Sequence, residues 1–221
     1  MQASRAKIRT HYPPWLRAFA GGILRLLGWK LEGKRPDAAK FLVIAAPHST
    51  NWDLPAMLLC STALDIPCVF MMKDTVFWGP LGALWRWLGG VAVNRRASSN
   101  MVSQVVDIVK ERESIFLLIA PEGTRKHVDN VWKLGFYWIA TGAEIPLLLS
   151  FVDYKHKRVG VGPLVHLTGG LEADFAQIRS FYEPKMGIVP SFRERDAERH
   201  RQLSVQSQER QNGNTPNEDE T

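Results

Sequence analysis

Short apolar runs alternate with stretches of helical periodicity along most of the chain. The apolar runs are rich in branched and aromatic residues and predict buried strands at residues 41–46, 68–72, 91–94, 115–119 and 146–152. Apolar residues at helical spacing predict helices at residues 52–64, 81–88, 98–111 and 131–141. Further strands are expected at residues 159–161 and 164–167, around Gly162-Pro163, and a helix at residues 171–182. The alternation predicts an α/β fold with a mixed, largely parallel sheet flanked by helices.

The leading segment, residues 1–35, differs from the rest in charge and pattern. It holds eight basic residues and one acidic residue. An amphipathic helix is expected between Pro13-Pro14 and Gly28, and its apolar residues recur at spacings of three and four: Trp15, Leu16, Phe19, Ile23, Leu26 and Leu27. Arginines beside such a stripe can reach lipid phosphates, so the segment is typical of a helix at a membrane interface. The alternative is a helix packed on the protein's own core.

The amino-acid composition indicates which structural class of protein this chain belongs to. The 221 residues are 45% apolar and 23% charged, which is the composition of a globular protein. Residues 36–192 are expected to form the main domain, and residues 193–221 a polar, disordered tail. The longest stretch without Asp, Glu, Lys or Arg has 13 residues, so a membrane-spanning helix and a secretory signal are not expected. Cys60 and Cys68 alone exclude a disulfide framework and predict reduced thiols in the cytoplasm.

Reactive residues follow several of the predicted strands. Ligand sites of α/β sheets lie beyond the carboxyl ends of the strands, and His48 and Asp53 follow the first one. If a helix begins between them, with Ser49 or Thr50 as its N-cap, Asp53 can hold one imidazole nitrogen and leave the other to act as a base. A capping box between Thr50 and Asp53 is the structural alternative.

Two further strand ends carry basic residues. Residues 121–125 read Pro-Glu-Gly-Thr-Arg, where a glycine permits close approach of a ligand and Arg125 offers a forked donor to a phosphate. An ordinary turn with a surface ion pair is the alternative. Arg95 and Arg96 end the run that starts at Gly89, and paired arginines are usually only solvated.

In chain order, these segments resemble the four motifs of the glycerolipid acyltransferases typified by 1-acyl-glycerol-3-phosphate acyltransferase. The first motif, His-x4-Asp, matches His48 and Asp53, and the third matches residues 121–125 without a change. The second matches residues 90–95, and the fourth matches residues 145–148. Asn94 stands where the family commonly has Asp. The resemblance covers residues 41–153 and implies a glycerol-3-phosphate acyltransferase-like fold.

The resemblance implies transfer of an acyl chain from acyl-CoA or acyl carrier protein to a lysophospholipid hydroxyl, with 1-acyl-glycerol-3-phosphate as the expected acceptor. His48 is the expected general base, and Asp53 orients it. Neither a metal nor a bound cofactor is expected, because a thioester already has a good leaving group. Ile145 and Pro146 are expected to line an acyl pocket. The expected substrate-binding residues are Lys73, Arg95, Glu122, Gly123, Thr124, Arg125 and Lys133.

The expected location is peripheral, on the cytoplasmic side of a membrane. Residues 76–88 hold three tryptophans and predict either a second membrane-facing surface or a core helix. Three other functions stay open: acylation of another lysolipid, hydrolysis of the thioester by the same His/Asp pair, and lipid binding without catalysis. Nucleic-acid binding is not expected, because the basic residues are interleaved with an apolar stripe and no recognition motif is present.

Overall fold

The computed structural model describes residues 9–47, 50, 52–93, 101–122 and 130–198. Its helices are α1 (Pro14–Leu26), α2 (Asp53–Ala63), α3 (Gly79–Trp87), α4 (Met101–Lys110), α5 (Gly135–Ala143) and α6 (Leu171–Met186). A short 3-10 helix covers Asp74–Val76. The strands are β1 (Lys30–Glu32), β2 (Lys40–Ala45), β3 (Val69–Lys73), β4 (Gly90–Val93), β5 (Ile115–Ile119), β6 (Leu147–Asp153) and β7 (Arg158–Val165).

These seven strands of the described residues form one sheet in the order β1-β7-β6-β2-β5-β3-β4. Strands β6, β2, β5, β3 and β4 are mutually parallel, and β7 pairs with β6 antiparallel. The short strand β1 runs parallel to β7 at the edge. The expected α/β fold with a mixed, largely parallel sheet is therefore confirmed, and the carboxyl ends of five strands meet at one edge.

Alternate residues of β2 face two different layers of helices. Leu42 and Ile44 belong to the main core, which α4, α5 and α6 cover. On the opposite face, Ala45 packs with Leu24 of α1 and Met57 of α2. Both faces of β2 are thus buried, which explains why it is a continuous apolar run rather than an alternating one.

Three local features differ from the sequence prediction. Strand β1 is new, and α5 begins at Gly135 rather than at residue 131, because Val131 bridges to Ser191 in extended backbone. Gly162 and Pro163 lie inside one strand, β7, instead of separating two. The pairing with β6 shifts register between Leu148 and Ser150, and an irregularity of this kind accommodates a proline that cannot donate to the ladder.

The folded part of the chain extends past residue 192, where the sequence placed the start of the tail. Residues 194–198 are helical, and Ala197 is buried in the main core. Residues 199–221 lie outside the described residues. Cys60 and Cys68 are buried free thiols, as expected. Among the described residues, no helix combines the length and apolar content needed to cross a bilayer.

Candidate active site

The strands that precede or carry the first three motifs end at the same edge of the sheet. β2 ends at Ala45, β4 at Val93 and β5 at Ile119, and all three run in one direction. The carboxyl edge of a parallel sheet is where α/β proteins bind ligands. Five predicted site residues, His48, Arg95, Gly123, Thr124 and Arg125, lie outside the described residues, as does Ser49.

Asp53 is a buried carboxylate at the first position of α2. Asp53 is only 2% exposed, and its carboxylate accepts hydrogen bonds from described residues on two sides. The backbone N–H of Thr50 donates to Oδ2 at 2.6 Å, and the Thr50 hydroxyl donates to Oδ1 at 3.0 Å. Asp53 therefore occupies the first helical turn, as predicted, and its carboxylate is held in a fixed orientation.

The start of α2 differs in detail from the predicted cap. Trp52 occupies the N-cap position, and the Thr50 hydroxyl accepts the backbone N–H of Trp52 at 3.1 Å. The bond from the Thr50 N–H to the Asp53 carboxylate is one half of a capping box. A carboxylate has about four lone-pair positions, so this structural role is compatible with a further donor such as an imidazole N–H.

Tyr154 is a further described residue that donates a hydrogen bond to Asp53, and the sequence pattern did not identify it. Its phenol donates to Asp53 Oδ1 at 2.7 Å, across 101 positions of sequence. Burial, together with the hydrogen bond to Asp53 and its charge, raises the pKa of Tyr154 to about 12, so the phenol is a neutral donor at physiological pH. A signal was present in the sequence, since Tyr154 directly follows the fourth-motif strand at the same sheet edge.

Glu122 and Lys133 flank the turn of the third motif. Glu122 is buried, and it lies close enough to Tyr182 that its charge, after burial, contributes to raising the pKa of that phenol. Lys133 is exposed, and its backbone N–H donates to the carbonyl of Pro121 at 2.8 Å. The fold thus brings these two predicted binding residues to the same turn after β5.

Lys73 and Gly90 lie on neighbouring strands. Lys73 is the last residue of β3, and its backbone pairs in register with Val93 of β4. Gly90, the first residue of the second motif, begins β4. A Cβ at this position would meet the carbonyl oxygen of Trp85 at 2.8 Å, so the glycine lets β4 start directly beneath the end of α3.

Ile145 and Pro146 lie at the other end of the sheet. The Pro146 carbonyl accepts the N–H of Leu42 near the start of β2, and the seven residues of β6, roughly 23 Å of strand, lead from there towards Tyr154. Both residues line a groove of about 350 Å³ with Glu144 and His166. The structure therefore does not bring the predicted acyl-pocket residues together with Asp53.

Helices α1 and α3 expose large apolar side chains. α1 buries Ala20 and Leu24, and four of the six residues of its apolar stripe are exposed, which differs from a helix packed wholly on its own core. The two helices border one groove that includes Phe19 and Trp87, and the Arg9 guanidinium lies 5.2 Å from the Trp87 ring centroid. We call the exposed set the aromatic surface; it comprises Trp15, Phe19, Leu26, Leu27, Trp78, Leu81, Leu84 and Trp87.

The described residues contain no group of three or more His, Cys, Asp or Glu side chains able to hold a metal ion. At the carboxyl edge, the described residues include the buried Asp53 carboxylate, the Tyr154 phenol that donates to it and a second buried acid, Glu122.

Comparison with known proteins decides the family. The family model described as Acyltransferase matches residues 30–148, more than half of the chain, and this range includes all four motifs. The chain belongs to the acyltransferase family. The matched range ends within β6, so the acyltransferase region comprises β1 to β5 with the start of β6.

Two relatives of this chain carry related names. A 1-acyl-sn-glycerol-3-phosphate acyltransferase of Escherichia coli (strain K12) is 27% identical over 153 residues, covering 65% of this chain and 61% of its own. The human 1-acyl-sn-glycerol-3-phosphate acyltransferase beta is 30% identical over 123 residues, covering 53% of this chain and 43% of its own. This chain thus matches about three fifths of the length of the bacterial relative.

A solved structure shares the fold. The 1-acyl-sn-glycerophosphate (LPA) acyltransferase from Thermotoga maritima superimposes with a TM-score of 0.56 at 18% sequence identity. The match covers 78% of this chain and 79% of that protein. The mixed sheet with its flanking helices is therefore an arrangement found in a solved acyltransferase.

Proposed function

We propose that this acyltransferase moves an acyl chain from a thioester to the free hydroxyl of 1-acyl-glycerol-3-phosphate. The buried carboxylate of Asp53 is the observation that carries the proposal, because it lies five residues after His48 at the carboxyl edge of the sheet. Membership of the acyltransferase family supports the reaction class, and the names of the bacterial and human relatives support the acceptor.

The proposed chemistry needs one base and one orienting acid. His48 takes the proton from the acceptor hydroxyl while its oxygen attacks the thioester carbonyl carbon. Asp53 holds the other imidazole nitrogen and stabilises the imidazolium that forms. The carbon–sulfur bond then breaks, and the departing thiolate takes the proton from the imidazolium. The products are the ester and a free thiol, and no covalent enzyme intermediate is needed.

Basic residues that end or follow strands β3, β4 and β5 in the sequence are proposed to bind the phosphates of the two substrates. Arg125 and Arg95 offer forked donors that suit phosphate oxygens, and Lys73 and Lys133 offer single positive charges. Glu122, Gly123 and Thr124 are proposed to shape the pocket at the turn. The formal net charge of +6 favours approach of an anionic lysolipid and of an acyl-CoA or acyl carrier protein donor.

The acceptor is proposed to come from a membrane leaflet. The aromatic surface carries tryptophans, which favour the headgroup level of a bilayer, and Arg9, Arg17 and Arg25 lie on or beside α1. Exposure of this stripe favours the membrane interface over the core-packed alternative. We therefore propose peripheral binding to the cytoplasmic leaflet, with the lysophospholipid drawn from it.

The test measures thiol release from acyl-CoA and from acyl carrier protein, with and without a panel of lysolipids on vesicles, and identifies products by mass spectrometry. Release that depends on 1-acyl-glycerol-3-phosphate and yields phosphatidic acid is the expected result. Release without any lysolipid would identify a thioester hydrolase instead. Lipid binding with no release from either donor would identify a protein without catalysis, and release with a different lysolipid would replace the acceptor.

A further inference from the structure

The Asp53 carboxylate is held by a residue from a distant part of the chain. Tyr154 reaches it from the turn between β6 and β7, with 2.7 Å between the phenol oxygen and Oδ1. The same phenol lies 3.3 Å from the Thr50 hydroxyl, which itself bonds to Asp53. Three side chains from two segments therefore form one hydrogen-bonded cluster around a buried acid.

The turn that carries Tyr154 is itself fixed on two sides. Asp153 accepts bonds from the His156 backbone and ring, and from Arg158 at 2.8 Å, so the Asp153 carboxylate is paired within the turn and the strand that follows it. On the other side, the Lys157 carbonyl accepts the N–H of Lys30, and Lys157 Nζ donates to Leu27. The turn is thus tied to the segment that leaves α1.

The ring of Tyr154 is also supported. Trp29 lies against it edge-on, with ring centroids 5.3 Å apart and planes at 82°. This contact limits the rotation of a side chain that is 39% exposed. A phenol donor that is held in place can select one orientation of its acceptor carboxylate.

We infer that Tyr154 is a positioning residue for the acyl transfer, which fixes the Asp53 carboxylate and through it the general base. This inference rests on the proposed function, because it requires that Asp53 orients His48. A hydrogen bond donated to a carboxylate stabilises its charged form and reduces its basicity. Removing the phenol would therefore make Asp53 more basic, stabilise the imidazolium more strongly and raise the pKa of the base.

Tyr154→Phe is the principal variant, since it removes the hydroxyl and keeps the ring. We expect kcat to fall roughly tenfold with little change in KM, because a bond to a charged group is lost. The acidic limb of the pH profile of kcat/KM should move to higher pH. Thermal unfolding of both proteins checks that the fold is retained.

Tyr137→Phe is the matched control. Tyr137 also donates to a buried carboxylate, Asp174, at 2.7 Å, but it does so from α5 to α6, on the opposite face of the sheet from Trp29 and α1. We expect Y137F to lower the stability of the protein and to leave the position of the acidic limb unchanged. A loss of stability alone therefore does not produce the expected shift.

The outcomes separate the two proposals. If H48A is inactive and Y154F keeps both the wild-type kcat and the wild-type limb, the positioning role is wrong and the proposed function stands. If H48A retains full activity, the proposed function fails first. Should Y154F not fold, 3-fluorotyrosine incorporated at position 154 keeps the phenol and makes it a stronger donor. The acidic limb should then move to lower pH. An unchanged limb would overturn the inference.

Discussion

The indole ring of Trp29 meets the phenol ring of Tyr154 edge-on, with centroids 5.3 Å apart. Trp29 lies just after α1, and its backbone N–H donates to Leu24 within that helix. Tyr154 donates to Asp53. The segment proposed to bind the membrane thus contacts, through one aromatic ring, the residue that donates to the candidate catalytic acid.

Replacing Trp29 with Ala should lower kcat about threefold to tenfold, because the ring that limits the motion of Tyr154 is lost while every described donor to Asp53 remains. The aromatic pair itself contributes about 0.5–1.5 kcal/mol of stability. Trp138→Ala is the control, since it removes a similar edge-on contact with Tyr137, with centroids 5.0 Å apart. Equal kcat values for W29A and W138A would contradict the connection.

The aromatic surface provides a second prediction. Trp15 and Phe19 are 68% and 61% exposed, and inserting such side chains into a membrane interface gains about 1.5–3 kcal/mol each. The double variant W15E/F19E should lose at least tenfold in partitioning to anionic vesicles, measured by flotation. Val189→Glu, at another exposed apolar residue, is the control. Wild-type protein that stays in the soluble fraction would contradict membrane binding.

The hydrogen bonds and ion pair of Asp153 predict how the stability of the fold depends on pH. Burial alone would raise the pKa of Asp153, but hydrogen bonds from Arg158 and His156 outweigh it and lower the pKa to about 2. In the unfolded chain, an Asp carboxyl has a pKa of ~3.9. The Asp153 carboxylate therefore stabilises the fold above that pH, and its contribution is lost as the pH falls towards about 2. Asp153→Asn should reduce the free energy of unfolding at pH 7 by about 1–3 kcal/mol.

The measurement for Asp153 is a series of denaturant unfolding curves from pH 7 down to pH 2. The difference between the wild-type protein and D153N should be largest above about pH 5 and shrink steadily below it. A difference that stays constant over the whole range would show that the ion pair with Arg158 does not stabilise the fold.

The contacts of Asp65 show how residues 9–13, the segment before α1, are attached to the fold. Its side chain accepts bonds from the His11 ring and the Tyr12 backbone, at 2.7 and 2.6 Å, and Arg35 donates to its carbonyl. Burial would raise the pKa of Asp65, whereas the bonds from His11 and Tyr12 and the charge of Arg17 lower it. Asp65→Asn removes the charge and suits the left-handed backbone at φ 60°.

We expect D65N to speed proteolysis of residues 9–13 severalfold and to lower the free energy of unfolding by about 1–3 kcal/mol. Glu172→Gln, which removes an exposed ion pair with Arg179 at 3.4 Å, is the control and should change neither. Unchanged proteolysis in D65N would show that the segment is held by its apolar contacts alone.

Sequence periodicity identified the sheet because both faces of its central strands are buried. Strand β1 was missed because Lys30, Leu31 and Glu32 form a short, polar edge strand with no apolar run. The division of β7 at Gly162-Pro163 was wrong because backbone pairing across an irregularity, which periodicity does not report, keeps this segment in the sheet.

The spacing of residues along the chain also predicted only part of the candidate site. It predicted that His48 and Asp53 lie at one strand end, because five residues separate them; the structure describes Asp53 there, and His48 lies outside the described residues. It missed Tyr154, because the contact with Asp53 depends on β6 lying beside β2 and spans 101 positions. Ile145 and Pro146 were grouped with the site by the fourth motif, although they precede β6 at one end and Tyr154 follows it at the other.

The proposed role of His48 as general base is tested most directly by lysolipid-dependent thiol release from acyl-CoA, compared between the wild-type protein and His48→Ala. General-base catalysis contributes about 10²- to 10⁴-fold, so the variant should lose at least a hundredfold in kcat with an unchanged thermal unfolding curve. A folded H48A protein that retains more than about a hundredth of the wild-type rate would contradict the account.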